Sequence, residues 1–228
     1  ASWNFALDRS EESVIGDNVL GYIPGSDSLL REELVIITSH YDHVGIIDGE
    51  IHNGADDNAS GTAGMLHLAH TLQNSALQHD ILFFAISGEE QGLWGSNYWT
   101  SHPTIPLEKI NCMINMDMIG RLDTARGLAI YGTGTAPQWD QWIDEANSDS
   151  LKSIRKPSGK GPSDHTSFYL KDIPVLHFFT GQHEDYHKPT DDADKINTEG
   201  IIRVTSMIER IVASVDQSEK LAFQKKLK

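Results

Sequence analysis

A six-residue apolar segment, residues 81–86, constrains the fold of this chain more than any other stretch. It reads ILFFAI and contains no polar side chain. A short run rich in β-branched and aromatic residues is typical of a strand buried on both faces, and such strands belong to parallel sheets covered by helices. The strand is followed by Ser87-Gly88 and then by two adjacent acidic residues, Glu89 and Glu90.

Further apolar runs alternate with segments of helical periodicity. The other predicted core strands are residues 34–38, 111–116, 128–131 and 175–179, and weaker patterns at 2–7 and 18–26 predict lead-in strands. The predicted helices are residues 59–73, 93–101, 137–147, 166–171 and 198–215. This alternation predicts an α/β fold with a mostly parallel sheet. We expect a single domain over residues 1–228, with lead-in strands in residues 1–33 and a frayed tail at 217–228.

Composition excludes some partners and leaves others open. The 228 residues carry a formal net charge of -15, which argues against nucleic acid or an anionic membrane surface as a partner. Cys112, the single cysteine, lies in an apolar run and is expected to be a buried structural thiol. There is no signal peptide, membrane-spanning run or initiator Met, so we expect the chain to be a processed or trimmed piece.

Polar residues follow the predicted carboxyl ends of separate strands. In parallel sheets these ends meet at one edge, where ligands bind. The residues concerned are His40, Glu89, Glu90, Asp117 and His187. Imidazoles and carboxylates without a thiolate suit zinc, cobalt or manganese, and the set exceeds what one tetrahedral ion needs.

Two divalent ions, with zinc as the foremost candidate, are therefore expected at this edge of the sheet. If the ligands are His40, Asp56, Glu90, Asp117 and His187, three carboxylates and a bridging hydroxide would neutralise them. Glu89 is then left beside a ligand and free to shuttle protons in metal-assisted hydrolysis. Asp42 follows His40 by two residues and is placed to accept its second ring N–H.

Six segments carry a resemblance to a known family. They are His40-Tyr41-Asp42, residues 53–61 (NGADDNASG), residues 87–96 (SGEEQGLWGS), residues 115–119 (NMDMI), Ser163-Asp164-His165 and residues 185–191 (DYHKPTD). At these segments, and in their order, the chain resembles the co-catalytic zinc aminopeptidases of peptidase family M28 in clan MH. The resemblance implies a three-layer α/β/α sandwich with a mixed, largely parallel sheet.

The resemblance also implies roles for single residues. Asp56 would bridge two metals, His40 and Asp117 would complete one site, and Glu90 and His187 the other. Glu89 would be the general base, and a cis peptide would follow Asp56. Many such relatives carry an upstream protease-associated domain, whose absence from this chain suggests a trimmed or naturally short form, and relatives are usually secreted or periplasmic.

One residue expected near the substrate carbonyl departs from the family pattern. Some relatives have a tyrosine shortly before the Ser-Asp-His segment, where this chain has Lys160-Gly161-Pro162. His165 is our candidate for polarising the carbonyl, with helix capping or packing as the competing interpretation. We interpret His177, inside an apolar strand, as a core histidine and His43 as a surface residue.

The first functional hypothesis is an exopeptidase that removes the N-terminal residue of a peptide with a free α-amino group. Glutaminyl cyclase activity, at one zinc on the same fold, is the nearest alternative. A carboxypeptidase or dipeptidase is a further one, and it would need a cation such as Lys160 or Lys188 to receive the substrate carboxylate. A binding ectodomain that has lost catalysis is the non-enzyme alternative.

Overall fold

The computed structural model describes residues 15–30 and 33–225. Within them the chain forms a seven-stranded sheet and a separate two-stranded hairpin. The strands are β1 Val19–Ile23, β2 Leu34–His40, β3 Ile46–Ile47, β4 Glu50–Ile51, β5 Asp80–Ile86, β6 Ile110–Met116, β7 Leu128–Tyr131, β8 Ser153–Lys156 and β9 Val175–Phe179.

Five α-helices occur in the same described residues. They are α1 Gly61–Leu72, α2 Trp94–Ser101, α3 Trp139–Ala146, α4 His165–Tyr169 and α5 Thr198–Asp216. A turn, Ala55–Ser60, precedes α1, and its backbone is non-helical at Asp57 and Asn58. The helix α5 begins at an N-cap, where the side chain of Asn197 accepts a hydrogen bond from the Gly200 amide. None of these helices combines the length and the apolar character that crossing a bilayer requires.

The sheet is mixed and mostly parallel, as predicted. Its strand order is β1-β5-β2-β6-β9-β7-β8. The pairings β2–β5, β2–β6, β6–β9 and β7–β8 are parallel, whereas β1–β5 and β7–β9 are antiparallel. The carboxyl ends of β2, β5, β6 and β9 therefore lie at the same edge of the sheet, and the functional side chains gather there.

Helices cover both faces of the sheet. Residues of α1, α3 and α5 share one hydrophobic cluster with alternate residues of β5, including Ile81 and Phe83. Leu82, Phe84 and Ile86 belong to a second cluster on the opposite face, with residues of α2 and α4. Since successive side chains of a strand point to opposite faces, the uninterrupted apolar run of β5 supplies both cores. The three-layer sandwich is confirmed.

The structure differs from the sequence prediction at the edges. The hairpin β3–β4 and the outer strand β8 were not predicted, and the edge strand expected at residues 2–7 lies outside the described residues. Residues 217–225, for which a frayed tail was expected, instead pack on the domain. The Leu221 amide donates to Asn111 Oδ1 at 3.0 Å, and the Gln224 amide donates to the Thr135 carbonyl at 2.8 Å.

Candidate active site

A cavity of about 100 Å³ lies beyond the carboxyl ends of the central strands, and three of the predicted site residues line it. Its lining includes Asp57, Glu89, Glu90 and Asp117. Asp57 lies in the turn before α1, and Asp117 follows β6. The two glutamates come from one loop after β5. The alternation of strands and helices thus brings together side chains that are far apart in sequence.

Two groups of potential metal ligands meet at this cavity. One consists of His40, Glu89 and Asp117, and the other of His43, Asp57, Glu90 and His187. In each group the ligand atoms lie within 4.8 Å of one another. Asp57 faces both groups, because its Oδ1 lies 3.4 Å from His40 Nε2 and its Oδ2 lies 3.0 Å from His187 Nε2.

The other carboxylate oxygens of each group also lie close to its histidine nitrogen. His40 Nε2 is 3.4 Å from Asp117 Oδ1 and 4.0 Å from Glu89 Oε2. His187 Nε2 is 3.2 Å from Glu90 Oε2. His40 and His187 each aim one ring nitrogen at two carboxylates from different parts of the chain, which is the arrangement that a shared cation requires.

The hydrogen bonding of these imidazoles fits metal ligation. His40 Nε2 and His187 Nε2 are both buried, and neither has a hydrogen-bond partner. A buried polar atom without a partner is costly, so its persistence at a functional site calls for an explanation. Nitrogen and oxygen donors converging from five side chains, without a thiolate, suit a divalent ion such as zinc. The residues present therefore fit a zinc site.

Asp56 does not occupy the place expected for the bridging ligand. Its Oδ1 accepts hydrogen bonds from the Gly120 amide at 2.6 Å and from Ser60 Oγ at 3.0 Å, and its Oδ2 lies 3.1 Å from His183 Nε2. The neighbouring Asp57 faces the two groups instead. The cis peptide is likewise one residue later than expected, between Asp57 and Asn58.

Asp191 holds the backbone of this Asp-Asp pair. Its Oδ2 accepts hydrogen bonds from the backbone amides of both Asp56 and Asp57, at 2.9 and 3.1 Å. With the turn held by its backbone, the two successive side chains point to different surroundings. Burial raises the pKa of Asp56 to about 6, in spite of hydrogen bonds from Gly120 and Ser60 that favour its charged form.

Asp42 supports the site in a different way from the one predicted. The carbonyl oxygen of Asp42, at 3.1 Å, is closer to His40 Nδ1 than its carboxylate, at 3.7 Å. Its carboxylate oxygens accept hydrogen bonds from the amides of Glu89 and Glu90, at 3.1 and 3.2 Å. Asp42 therefore positions His40 and also the backbone of the two acidic residues.

Burial and crowding of charge dominate the electrostatics. Burial opposes charge on His40, but Asp117 and the other neighbouring carboxylates outweigh it and raise the pKa of His40 well above its ordinary value. Burial would raise the pKa of Asp117, but His40 outweighs it and lowers that pKa to about 2. Burial raises the pKa of Glu89 to about 9, and the charge of Asp117 adds to this effect.

His165 is not at the cavity, contrary to its expected role beside the substrate carbonyl. Its side chain is fully buried, and both ring nitrogens lack a hydrogen-bond partner. Its ring stacks on that of His177, with centroids 4.2 Å apart and an interplanar angle of 5°. His177, which we interpreted as a core residue, is the histidine of this pair that lines the cavity.

His43 was also missed by sequence reasoning. It is largely buried, and its Nδ1 lies 2.8 Å from Glu90 Oε1, so it holds the carboxylate that also faces His187. The only signal in the sequence was its position one residue after Asp42 in the loop that follows β2. That proximity does not reveal which way the side chain points.

The three-layer fold and a donor set of imidazoles and carboxylates at the strand ends are typical of metal-dependent peptidases. The chain belongs to peptidase family M28, since the sequence model of that family matches residues 18–212. It is 27% identical over 219 residues to aminopeptidase YwaD of Bacillus subtilis, and the alignment covers 89% of this chain and 45% of that protein. The chain thus spans less than half the length of this relative.

Solved structures show the same fold. BSAP, a zinc aminopeptidase from Bacillus subtilis, has a TM-score of 0.75 and 24% identity, covering 90% of this chain and 52% of that one. A glutaminyl cyclase from Porphyromonas gingivalis has a TM-score of 0.69 and 18% identity, covering 86% of this chain and 77% of that one. Fold alone therefore accommodates both reactions.

Proposed function

We propose that this protein is a zinc-dependent aminopeptidase that hydrolyses the N-terminal peptide bond of peptides. The observation that carries the proposal is the shared position of Asp57 between two ligand groups, with the carboxylate of Glu89 at the same cavity. Membership of family M28 and the names of the relatives agree with this activity.

The proposed ligands differ from the sequence prediction only at the bridging residue. His40, Asp57 and Asp117 would hold one zinc ion, and Asp57, Glu90 and His187 would hold the other. Zinc supplies a Lewis acid that polarises a carbonyl group and makes water acidic enough to react near neutral pH. His43 would contribute by fixing the Glu90 carboxylate rather than by ligation.

Glu89 is the proposed general base. Its carboxylate takes a proton from the attacking water and later delivers it to the nitrogen of the departing amine. The amide hydrogen bonds from Glu89 and Glu90 to Asp42 fix this loop relative to His40. Asp42 therefore positions both the proposed base, Glu89, and the proposed ligand His40 relative to each other.

The lining of the cavity argues against a substrate that binds through its terminal carboxylate. Asp57, Glu89, Glu90 and Asp117 all line it, and no described residue of its lining is Lys or Arg. A carboxypeptidase would need a cation there to bind the terminal carboxylate of its substrate. Lys160 and Lys188, the candidates for that task, are not part of the lining, so the described lining offers no side-chain cation to a terminal carboxylate.

Turnover of a panel of aminoacyl anilides tests the proposal, with each compound supplied as the free amine and N-acetylated. The zinc-loaded protein should cleave only the free amines, and a chelator should abolish the cleavage. Glu89→Gln protein provides a matched control for contaminating peptidases. Cleavage of the acetylated compounds would contradict the aminopeptidase assignment, and conversion of N-terminal glutamine without hydrolysis would favour glutaminyl cyclase activity. Secretion or a periplasmic location stays a prediction, testable by fractionation of the native source.

A further inference from the structure

We propose that His177 donates a hydrogen bond from Nε2 to the carbonyl oxygen of the scissile bond, and that it does so as negative charge develops there. This role rests on the proposed function and adds a catalytic residue to it. His165, the residue expected to polarise the carbonyl, is buried behind His177.

The sheet register brings His177 to the cavity. Asn115 of β6 pairs with His177 of β9, and Tyr131 of β7 pairs with the same residue. Residues paired across neighbouring strands project on the same face of a sheet, so the three side chains form one row. His177 and Tyr131 line the cavity together with Glu89 and Asp117. The imidazole therefore shares the cavity with the proposed base.

A chain of hydrogen bonds fixes the Asn115 amide. Asn115 Nδ2 donates a hydrogen bond to Ser163 Oγ, 2.8 Å away. On the other side, Asn115 Oδ1 accepts from Thr38 Oγ1 at 2.6 Å.

The orientation of this amide determines the tautomer of His177. Asn115 Nδ2 directs its second hydrogen at His177 Nδ1, 3.1 Å away. Nδ1 is then an acceptor, and a neutral imidazole with an acceptor at Nδ1 carries its proton on Nε2. Nε2 is the ring nitrogen left for a ligand in the cavity, and it is a donor.

The surroundings hold the ring in one plane. His165 stacks against it on one side, and the ring of Tyr131 lies 5.4 Å from it at an interplanar angle of 50°. Burial keeps His177 neutral, because an imidazolium in this position would lose its hydration. A neutral donor whose direction is fixed before the substrate binds is effective at stabilising charge that develops during a reaction.

Two substitutions separate the effect of the N–H donor of His177 from the effect of the size of its ring. His177→Phe keeps an aromatic ring without a donor, and His177→Gln keeps an N–H near the position of Nε2. With equal zinc content, His177→Phe should lower kcat about 100-fold and change KM less than about threefold, since removal of one such donor costs on the order of 100- to 1000-fold. His177→Gln should recover most of that loss.

The tautomer supplies a readout independent of catalysis. The ¹⁵N shifts of His177 at pH 7.5, in protein without added metal, should show a protonated Nε2 and an unprotonated Nδ1. A proton on Nδ1 would overturn the proposal whatever the kinetics. So would a His177→Phe enzyme whose kcat is within threefold of the wild-type value. A wild-type protein that cleaves no free-amine substrate would overturn the proposed function itself, and the role of His177 with it.

Discussion

The adjacent residues Asp56 and Asp57 offer the sharpest test of the site, because each can be changed to asparagine without changing its size. Asp57 faces His40 at 3.4 Å and His187 at 3.0 Å, whereas Asp56 accepts hydrogen bonds from Gly120 and Ser60. Asp57→Asn removes a charge that both proposed zinc sites share. Asp56→Asn keeps a carbonyl oxygen for the same donors.

The expected difference is large. Partners that merely support a ligand are worth about 10- to 100-fold in metal affinity, so loss of a shared ligand should cost more than about 100-fold. Asp56→Asn should cost less than about tenfold, because Asp56 contacts Gly120, Ser60 and His183 and no member of the two ligand groups. A 100-fold loss corresponds to about 2.8 kcal/mol, and at this chain length it should reduce the zinc-induced rise in Tm by about 6–11 °C.

Competition with a fluorescent zinc chelator measures affinity, and differential scanning fluorimetry with and without zinc measures the shift in Tm. Both variants should be compared with the wild-type protein at the same pH and zinc concentration. If Asp56→Asn loses zinc and Asp57→Asn keeps it, then Asp56 is the bridging residue after all. That result would also refute the assignment of Asp57 from the interatomic distances.

Three further predictions follow from the site and the core. Glu89→Gln should keep zinc affinity within about threefold and lower kcat on the order of 100- to 10,000-fold, so a zinc-loaded variant with normal kcat would exclude this base. Burial lowers the pKa of His177 to about 4, so the unfolded chain takes up a proton at this histidine before the folded protein does. The free energy of unfolding should therefore fall by about 3 kcal/mol from pH 6.5 to 4. Urea unfolding should show a smaller fall for His177→Gln, and an equal dependence on pH in both proteins would contradict this. Gly61→Ala would place a Cβ 2.3 Å from Asn58 Oδ1 and 2.6 Å from the Met116 carbonyl. Urea unfolding should therefore show a free energy of unfolding lower by about 3 kcal/mol. An unchanged free energy of unfolding would mean that this turn can shift.

The sequence predicted the central strands well because their environment leaves a strong pattern. β2, β5, β6 and β9 are almost entirely buried, so they appear as continuous apolar runs. β8 lies at the sheet edge and alternates between half-buried and exposed residues, and two of its residues are charged, so its pattern resembles a loop. The tail after α5 is basic, and its packing depends on distant partners such as Asn111.

The candidate site was predictable to the level of segments but not of every side chain. Strand ends indicate which loops converge, and this brought His40, Glu90, Asp117 and His187 together. Within the Asp-Asp pair the two residues are identical, and their different surroundings depend on partners such as Asp191, which accepts from both amides, and Gly120, which donates to Asp56. His177 lines the cavity and His165 stacks behind it. No local sequence pattern shows which of the two rings lies nearer to the cavity.

The charges of the site connect zinc binding with the proposed base. Burial and Asp117 raise the pKa of Glu89 to about 9, so without a nearby cation this carboxyl group would be protonated at neutral pH and unable to accept a proton. The three proposed carboxylate ligands, Asp57, Glu90 and Asp117, carry three negative charges against four positive charges on two zinc ions. Until a hydroxide balances it, the remaining positive charge would favour the ionised form of Glu89. The same ions that activate the substrate would therefore also prepare the base, and a metal-free protein would lack both.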